Sequence, residues 1–447
     1  MNKRGMLAYS INYLFALLIC LVSFQSCNRK QNNVPARDSL SIQSSHDSLP
    51  APYATKSVKN YSKVVGWPAG KLPQAPTGFQ VIKFADGLQN PRWIYVTPNG
   101  DILVSEANTE TKGLKKVAEK ISGKAESQNT GESANRITLL RDKDNDGKPE
   151  LKQVLLFGLT QPFGMLVLGN SLYVANTDGL VQYPYQAGQT QIKSEGKKIL
   201  ELPAGGYNNH WTRNIIANQT QTKIYISVGS GSNIGEHGME NEIRRANILE
   251  VNPDGTGERV FASGLRNPVG MGISPGTNEL WTVVNERDEL GDDLVPDFLT
   301  KVKEGGFYGW PYAYFGPNED PRLRGQKPEL VKQTLKPDVS LGAHTASLGF
   351  VFYNKNSFPA KYHGGAFIGQ HGSWNRSQLS GYKVVFVPFK NGKPSGPPED
   401  FLTGFIADAA KSEVYGRPVG IAVLPDGAML VADDASGIIW KIVQGDH

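Results

Sequence analysis

The chain repeats one pattern of apolar and polar positions from Gly78 onward. A short motif containing Pro or Arg opens an apolar segment, a polar turn follows, and a second apolar segment ends in small or acidic residues. The paired segments are residues 90–96 with 102–106, 162–165 with 171–175, 213–215 with 223–228, 267–271 with 279–283, 346–350 with 365–368, and 417–421 with 425–433. Apolar runs of this length, bounded by turn residues, are typical of β-strands.

The repetition predicts a propeller rather than another all-β fold. Residues 99–101 (NGD) and 426–427 (DG) are hairpin turns, because these residue types accept the positive φ that such turns need. The prolines that open four of the copies are Pro91, Pro162, Pro268 and Pro418. Their spacing leaves room for one further blade between the second and third, and another between the third and fourth. Blades of about 40–50 residues with four short strands are propeller units. We therefore expect an all-β fold, a six-bladed β-propeller, whereas a β-sandwich would lack the repetition.

The N-terminus has the features of an export signal. Lys3 and Arg4 give a positively charged start, residues 14–22 are apolar, and Cys27 follows a cleavage-type sequence. The apolar stretch is too short to span a bilayer, so a signal peptide is favoured over a transmembrane helix. Residues 23–27 (SFQSC) resemble a lipoprotein box, which predicts a membrane-anchored lipoprotein facing the periplasm or the outside of the cell. Ordinary cleavage beside an incidental cysteine is the alternative.

Three segments follow from this pattern. They are a lipoprotein signal peptide at residues 1–26, a flexible tether at residues 27–61 and the propeller domain at residues 62–447. The tether is rich in Ser, Asn, Gln and Pro, and such a sequence buries too little apolar surface to offset the entropy of ordering it. The two cysteines, Cys20 and Cys27, both lie ahead of the domain. Cysteine catalysis and thiolate metal sites are therefore excluded in the domain.

Polar residues are concentrated in the loops that lead into the innermost strands, which in a propeller converge on the central channel. They are Gln161, residues 208–213 (NNHWTR), Arg266, Asn267, residues 370–376 (QHGSWNR) and Arg417. Several arginines around one axis would repel one another unless a polyanion lies among them, and guanidinium groups pair well with carboxylates. A histidine beside them can accept a proton near neutral pH. The loops therefore predict a ligand with several carboxylates and a nearby proton acceptor.

Six motifs in order resemble the PQQ-dependent sugar dehydrogenases, the glucose/sorbosone dehydrogenase family of six-bladed propellers. The motifs are residues 209–214 (NHWTRN), 264–268 (GLRNP), 285–288 (NERD) with 291–293 (GDD), 306–311 (GFYGWP), 370–376 (QHGSWNR) and 416–421 (GRPVGI). The resemblance covers residues 78–443 and is greater to the sorbosone and pyranose dehydrogenase branch than to the soluble glucose dehydrogenase.

The resemblance implies a PQQ-dependent oxidoreductase of aldose-type sugars, similar to sorbosone or pyranoses. His210 matches the family's general base, which takes the proton of the anomeric hydroxyl while hydride passes to PQQ. Arg266 matches the arginine that polarises the quinone carbonyl. The positions that match cofactor contacts are Gln161, Arg213, Arg266, Asn267, His371, Arg376 and Arg417. The quinone would supply the redox chemistry, and the protein would supply position, base and charge.

Calcium is the second cofactor that the resemblance implies. The backbone carbonyls of Arg287 and Asp288 match the ligands of the ion that bridges PQQ. Asp292 or Asp293 and the carbonyl of Tyr308 match a pair of structural calcium sites, and hard oxygen ligands suit this ion. An acidic, solvated loop without metal is the alternative.

Two features depart from the soluble glucose dehydrogenase. Asn209 stands where that enzyme has an acid just before the base. His371 and Arg376 are offered in place of a lysine over the quinone. Both differences argue against glucose as the substrate and leave the hydride chemistry intact.

Residues 142–147 (DKDNDG) resemble the start of an EF-hand calcium loop. The twelfth position of such a loop would be Gln153 instead of the bidentate Glu that a sensor loop uses. We therefore predict a hairpin whose Asp and Asn side chains cap their own backbone, with a weak calcium site as the alternative.

Two other classes of function remain open from the sequence. A calcium-dependent sugar lactonase of the propeller type would need acidic calcium ligands at the channel rather than several arginines. A non-catalytic propeller that binds a glycan or a partner would have no need of His210, Arg266 and Arg417 together.

The expected partners follow from the same features. They are a small sugar substrate, the membrane through a lipidated Cys27, and an electron acceptor that is either a quinone or a cytochrome. Cleavage of the predicted signal peptide would remove two basic residues and no acidic residue, so the mature chain would have a formal net charge of about +3 instead of +5. Without a basic stripe interleaved with aromatic residues, we expect no nucleic-acid partner.

Overall fold

Four-stranded antiparallel sheets make up most of the structure, a computed structural model that describes residues 49–110, 127 and 131–445. The first three sheets are Pro91–Val96, Ile102–Glu106, Arg136–Arg141 and Leu151–Leu156; Met165–Leu168, Ser171–Asn176, Gly179–Pro184 and Lys197–Glu201; and Arg213–Ala217, Ile224–Val228, Asn247–Val251 and Arg259–Ser263. The next three are Pro268–Ile273, Leu280–Val284, Pro296–Lys301 and Val339–Ala343; Ser347–Phe352, Ala366–Gln370, Lys383–Val387 and Glu399–Leu402; and Pro418–Val423, Met429–Asp433, Ile438–Gln444 and Phe79–Ala85.

The remaining described elements are short. The small strands are Lys63–Val64, Ala313–Tyr314, Asn318–Glu319, Phe389–Lys390, Lys393–Pro394, Ile406–Asp408 and Glu413–Val414. The helices include the six-residue α-helix Pro328–Gln333 and the 3₁₀-helices Met239–Glu242, Pro321–Leu323, Ala360–Tyr362 and Ala409–Lys411. The predicted all-β class is confirmed.

The second strand of each four-stranded sheet is largely buried, because both faces of that strand are covered. All five residues of Ile102–Glu106, of Ala366–Gln370 and of Met429–Asp433 are buried. A short, predominantly apolar run bounded by turns is typical of a strand that is buried on both faces. The core therefore lies between adjacent sheets; in one cluster Leu103 of the first sheet packs with Leu430 of the sixth.

Adjacent sheets touch along their first strands. The contacts that join sheets one to four in order are the hydrogen bonds Val167 N to Tyr95 Oη (3.0 Å), Gly164 N to Arg213 O (2.9 Å) and Asn214 Nδ2 to Val269 O (2.9 Å). Between the later sheets, glycines allow the backbones to approach closely. A Cβ atom at Gly270 would lie 2.8 Å from Leu348 O of the fifth sheet, and one at Gly420 would lie 2.7 Å from Arg92 O of the first. Glycine is required at these two positions because no side chain fits.

The sixth sheet joins the two ends of the domain. Its outermost strand, Phe79–Ala85, precedes the first sheet in the chain and pairs antiparallel with the last strand, Ile438–Gln444. Phe79 lies opposite Gln444 at one end of this pairing. The first strand of the sheet, Pro418–Val423, in turn contacts the first sheet through Gly420.

The predicted signal peptide (residues 1–26), the lipidated Cys27 and residues 28–48 of the predicted tether lie outside the described residues. No helix among the residues that are described has the length and apolarity to cross a membrane.

Candidate functional site

The predicted catalytic and cofactor-binding residues lie at one edge of the sheets, where the first strand of each sheet begins and the second strand ends. These two points coincide because the first two strands are antiparallel. Arg213 lies opposite Val228 in the third sheet, and Pro418 lies opposite Asp433 in the sixth. We call this the inner-strand edge. Loops before the first strands and after the second strands both contribute to it.

His210 is held in one tautomer at this edge. Its Nδ1 lies 2.8 Å from the carbonyl oxygen of Ser230 and 3.0 Å from the Ser230 hydroxyl. A carbonyl can only accept a hydrogen bond, so Nδ1 carries the proton and Nε2 keeps its lone pair. Burial, reinforced by the positive charge of Arg266, lowers the pKa of His210 to about 3. The imidazole is therefore neutral at physiological pH and presents Nε2 as a proton acceptor.

Arg213 positions the loop that carries His210. Its Nη1 donates to the carbonyls of His210 (2.8 Å) and Thr212 (2.9 Å), and its Nη2 donates to the carbonyl of Pro203 (2.6 Å). The side chain has no exposed surface. These contacts turn the guanidinium toward its own loop, so they support a positioning role and not the predicted cofactor contact.

Arg266 and Asp288 form a buried ion pair beside His210. Arg266 Nη2 lies 3.1 Å from Asp288 Oδ2, and its Nη1 donates to the carbonyl of Glu286 at 2.6 Å. Only 2% of Arg266 is exposed. The N–H groups of Arg266 are therefore bound to the chain, and Arg266 affects neighbouring groups such as His210 through its positive charge.

His344 completes this ion-pair cluster, and the sequence motifs did not indicate it. Its Nε2 lies 2.8 Å from Gly291 O and its Nδ1 lies 3.2 Å from Asp288 Oδ1. Both partners are acceptors, so both nitrogens donate and the ring is protonated. Burial alone would lower the pKa of His344, but the Asp288 carboxylate outweighs it and raises the pKa.

Asn267 places an unpaired oxygen next to His210. Its Oδ1 is buried and has no hydrogen-bond partner among the described residues. Gly229 separates the two side chains: a Cβ there would come within 2.6 Å of His210 Cβ and would also meet Asn267 Oδ1. Because buried polar atoms are almost always paired, this oxygen is a candidate acceptor for a ligand.

A second buried cluster contains His371 and Arg417. His371 Nε2 lies 2.8 Å from Asp434 Oδ2, and the same carboxylate is paired with Arg92. Arg417 Nε donates to the carbonyl of His371 at 3.1 Å, and its Nη1 is buried without a partner among the described residues. Burial, with the charge of Arg417 second, lowers the pKa of His371 to about 4. Burial would raise the pKa of Asp434, but His371 and Arg92 outweigh it and lower the pKa.

Trp211 links the two clusters. The Arg92 guanidinium lies 5.6 Å from the centre of the Trp211 ring, a cation–π distance. Trp211 follows His210 directly in the chain, and its Nε1 donates to Thr109 Oγ1 at 2.9 Å. The structure thus brings His210, Arg266, Asn267, His371 and Arg417 to the same edge.

Two further predicted cofactor contacts are engaged with the chain. Gln161 Nε2 donates to the carbonyl of Asn108 at 2.7 Å. Arg376 donates through Nε to the carbonyl of Asp292 (3.1 Å) and through Nη2 to Asp293 Oδ1 (2.7 Å). Arg376 therefore holds the loop that contains the predicted calcium ligands.

The residues predicted to bind calcium contact other parts of the chain. The Asp288 carbonyl accepts a hydrogen bond from Arg322 Nη1 at 2.9 Å, so a cationic group already occupies it. Arg287 is fully buried and paired with Glu286. The Tyr308 hydroxyl donates to Lys301 O at 2.6 Å inside the core. Asp292 and Asp293, the remaining predicted ligands, instead bind Ser377 and Arg376.

The described part of the predicted tether packs against this edge, a contact that its composition did not indicate. We call residues 53–61 the N-terminal strap. Its hydrogen bonds are Tyr53 N to Leu290 O (2.8 Å), Asp292 N to Thr55 Oγ1 (2.7 Å), Gly291 N to Ser57 Oγ (3.1 Å), Asn375 Nδ2 to Val58 O (3.2 Å) and Asn60 N to Trp374 O (2.8 Å). Tyr61 also stacks on Trp374, with ring centres 5.9 Å apart. Polar contacts, rather than apolar burial, hold the strap in place.

A family model described as TrAA12-like matches residues 73–298 and 327–445. The chain belongs to the TrAA12-like family. The matched ranges contain the first strand of every four-stranded sheet and both clusters at the inner-strand edge.

Two relatives match the chain over more than half of its length. An uncharacterized protein of Borreliella burgdorferi is 31% identical over 297 residues, which cover 64% of this chain and 76% of that protein. The pyrroloquinoline quinone-dependent pyranose dehydrogenase of Coprinopsis cinerea is 23% identical, and the match covers 82% of this chain and 54% of that protein. The chain thus spans about half the length of that enzyme.

The fold is shared with a solved quinone-binding domain. The holo form of the pyranose dehydrogenase PQQ domain from Coprinopsis cinerea has a TM-score of 0.67 to this chain at 21% identity. The superposition covers 85% of this chain and 99% of that domain. The resemblance to the PQQ-dependent sugar dehydrogenases that the motifs indicated is confirmed.

Proposed function

We propose that this protein is a PQQ-dependent dehydrogenase of aldose-type sugars, similar to sorbosone or pyranoses. The observation that carries the proposal is the state of His210, a neutral imidazole with Nδ1–H bound to Ser230 and Nε2 left as a proton acceptor. It lies beside the Arg266–Asp288 pair in a chain of the TrAA12-like family.

We further infer that the six sheets are the blades of one closed propeller. Hydrogen bonds join the first strands of sheets one to four, and close backbone contacts at Gly270, Gly349 and Gly420 join sheets four, five, six and one. The contacts return to the first sheet. This order supports a ring in which the inner-strand edge surrounds a central channel.

The residues of the inner-strand edge fit a tricarboxylated quinone in part. Arg417 offers a buried Nη1 donor without a partner among the described residues, suited to a carboxylate. Asn267 offers an unpaired oxygen beside His210. The N–H groups of Arg213, Arg266 and Arg376 are bound to the chain itself. These arginines would therefore act on the cofactor through their positive charge and not through direct hydrogen bonds. Arg417, Asn267 and His371 are therefore the residues that we expect to hold the cofactor, which when bound would accept the hydride.

The chain's own contribution is to position a base and to control charge. His210 Nε2 would take the proton of the sugar hydroxyl, and Ser230 would keep the ring oriented by holding Nδ1–H. Arg213 fixes the loop backbone behind the ring. The Asp288 carboxylate favours the protonated form of His210 and so offsets part of the opposing effect of burial and of Arg266. Positioned general bases of this kind contribute about 10²–10⁴-fold to rate.

Calcium has no role in the proposal at this edge. A cation at the Asp288 carbonyl would compete with Arg322, and the carboxylates of the two clusters are paired with arginine or histidine. The same pairing argues against a calcium-dependent lactonase, because such an enzyme needs free carboxylates for its ion.

The location of the enzyme is a separate proposal. The sequence of residues 23–27 supports lipidation at Cys27, which would hold the propeller near a membrane quinone or a cytochrome that accepts the electrons. Metabolic labelling with a palmitate analogue should mark the wild type and not Cys27→Ser. Equal labelling of both would exclude the anchor.

One experiment tests the activity against a binding-only propeller. Purified protein without residues 1–27 is reconstituted with PQQ, and reduction of an artificial electron acceptor is followed across a panel of aldoses. We expect turnover by the wild type and a loss of about 10²–10⁴-fold in kcat for His210→Ala, with PQQ affinity retained. His237→Ala, an exposed histidine in a nearby loop, is the matched control.

The outcomes separate the candidates. PQQ binding without turnover on any sugar would favour a binding propeller, and no PQQ binding would overturn the proposal. Normal turnover by His210→Ala would show that another group is the base.

A further inference from the structure

The loop between the third and fourth strands of the first sheet brings four carboxylates together. Asp142, Asp144, Asp146 and Glu150 each place an oxygen within 4.8 Å of the others. We propose that this loop binds one calcium ion, which fastens the first sheet to the sixth. Like charges at these separations repel strongly unless a cation lies among them.

Asp142 supplies the observation that points to an ion. Only 6% of its side chain is exposed. Its Oδ2 accepts the Gly147 N–H at 3.0 Å, but its Oδ1 is buried without a hydrogen-bond partner among the described residues. A buried carboxylate oxygen without a donor is costly, and a bound metal ion removes that cost.

The Asx turns of the loop are compatible with an ion. Asp144 Oδ1 accepts from Asp146 N at 3.1 Å, and Asp146 Oδ1 accepts from Lys148 N at 2.7 Å. These bonds are the backbone capping that the sequence predicted. Each uses one oxygen and leaves the second oxygen of the same carboxylate for a ligand.

The donor set selects calcium and sets its affinity. Four carboxylates on an exposed turn offer hard oxygen ligands that suit Ca²⁺, whereas Mg²⁺ demands near-octahedral geometry and keeps several waters. Gln153, at the twelfth position, lies in the strand Leu151–Leu156 opposite Leu139. It cannot provide the bidentate carboxylate of a sensor loop. The site therefore belongs with weak extracellular calcium sites, with a Kd of about 10⁻⁴–10⁻³ M.

The loop lies against the sheet that joins the ends of the domain. A Cβ at Gly147 would lie 3.8 Å from both Ile82 Cδ1 and Lys441 Cδ, so the turn packs on the sixth sheet. Lys441 is buried, and its Nζ lies 3.6 Å from Asp142 Oδ2 and 3.9 Å from Asp426 Oδ2. One lysine is thus shared between two carboxylates. An ion in the loop would supply the missing positive charge.

The proposal is tested on chelator-treated protein without PQQ or sugar, so its result is independent of the proposed enzyme activity. Calcium bound per chain is measured by equilibrium dialysis, and the Tm is measured with and without calcium at about ten times the Kd. We expect Asp144→Asn/Asp146→Asn to bind one calcium fewer than the wild type. We expect calcium to raise the Tm of the wild type by about 2 °C and that of the variant not at all.

Asp254→Asn is the matched control, since Asp254 caps Thr256 in an exposed turn of the third sheet. It should keep the calcium stoichiometry and the Tm rise of the wild type. Glu150→Gln is a milder change and should weaken calcium affinity about tenfold. If the double variant does not fold, this single variant tests the proposal in its place. Equal stoichiometry in all proteins, an unchanged affinity in Glu150→Gln, or an equal Tm rise with Mg²⁺ would overturn the proposal.

Discussion

At the scale of single residues, the inner-strand edge works by fixing protonation states. His210 is neutral because burial and Arg266 oppose its charging, whereas His344 is charged because Asp288 and a carbonyl both accept from it. The two imidazoles thus have opposite roles within one cluster. His210 can take up a proton, and His344 adds positive charge that offsets Asp288.

The state of His210 makes stability depend on pH. Its pKa is about 3 in the folded protein and about 6.5 in an unfolded chain. As pH falls through 6.5, the unfolded chain therefore takes up the proton first, and stability is lost progressively down to about pH 3. Between pH 7 and pH 4.5 we expect the Tm of His210→Gln to fall by about 3 °C less than that of the wild type.

Differential scanning calorimetry at the two pH values measures this difference. His237→Gln, at an exposed position, should show the pH dependence of the wild type. An identical Tm loss in wild type and His210→Gln would mean that His210 is not held neutral.

The sequence predicted some residues of this site, but it did not predict which residues contact one another. His210 and Arg266 stand in motifs that can be recognised in the sequence, and the structure places them together. Arg92 and Asp434 could not be paired beforehand, because they lie 342 positions apart. Arg213 looked like a ligand contact because its acceptors are backbone carbonyls, which leave no trace in a sequence.

At the scale of elements, the N-terminal strap shows the limit of composition as a guide. A segment poor in apolar residues was predicted to be a flexible tether, because hydrophobic burial is the usual source of order. The strap instead satisfies backbone groups of the loop at residues 290–292 and stacks Tyr61 on Trp374. Strands, by contrast, were predictable because their order does come from apolar burial.

The strap should therefore control the order of the loop that it binds. In a chain lacking residues 49–61, Gly291 and Asp292 lose their acceptors, Ser57 and Thr55. We expect faster hydrogen–deuterium exchange in residues 288–294 and 374–377, with no change in the strands of the second sheet. Hydrogen-exchange mass spectrometry measures this directly.

A chain lacking residues 28–48 and retaining the strap is the control for that experiment. It should exchange like the full chain. Unchanged exchange at residues 288–294 after removal of the strap would show that the loop is ordered by Arg376 and Ser377 alone.

At the scale of the whole molecule, the sixth sheet takes strands from both ends of the domain. The strand Phe79–Ala85 pairs with Ile438–Gln444, the last strand of the chain, and its Phe84 is buried in the core shared with the first sheet. The repeats of the sequence predicted the first two strands of each four-stranded sheet, but not that one sheet combines strands from both ends of the domain. The reason is that the strand Phe79–Ala85 stands ahead of the first complete copy of the repeat.

Removing this strand should destabilise the entire domain, because it exposes the edge of Ile438–Gln444 and uncovers apolar core. We expect a chain that begins at residue 87 to unfold at a Tm lower by more than about 10 °C than a chain that begins at residue 62. The second chain lacks the strap but keeps the strand.

A synthetic peptide of residues 76–86 should restore much of the difference in Tm by adding a strand to the open edge. The same peptide with Phe84→Asp should not. Equal Tm values for the two chains, or equal rescue by both peptides, would show that the sixth sheet is stable without its N-terminal strand. Contacts between the first strands would then be sufficient to hold the sheets together.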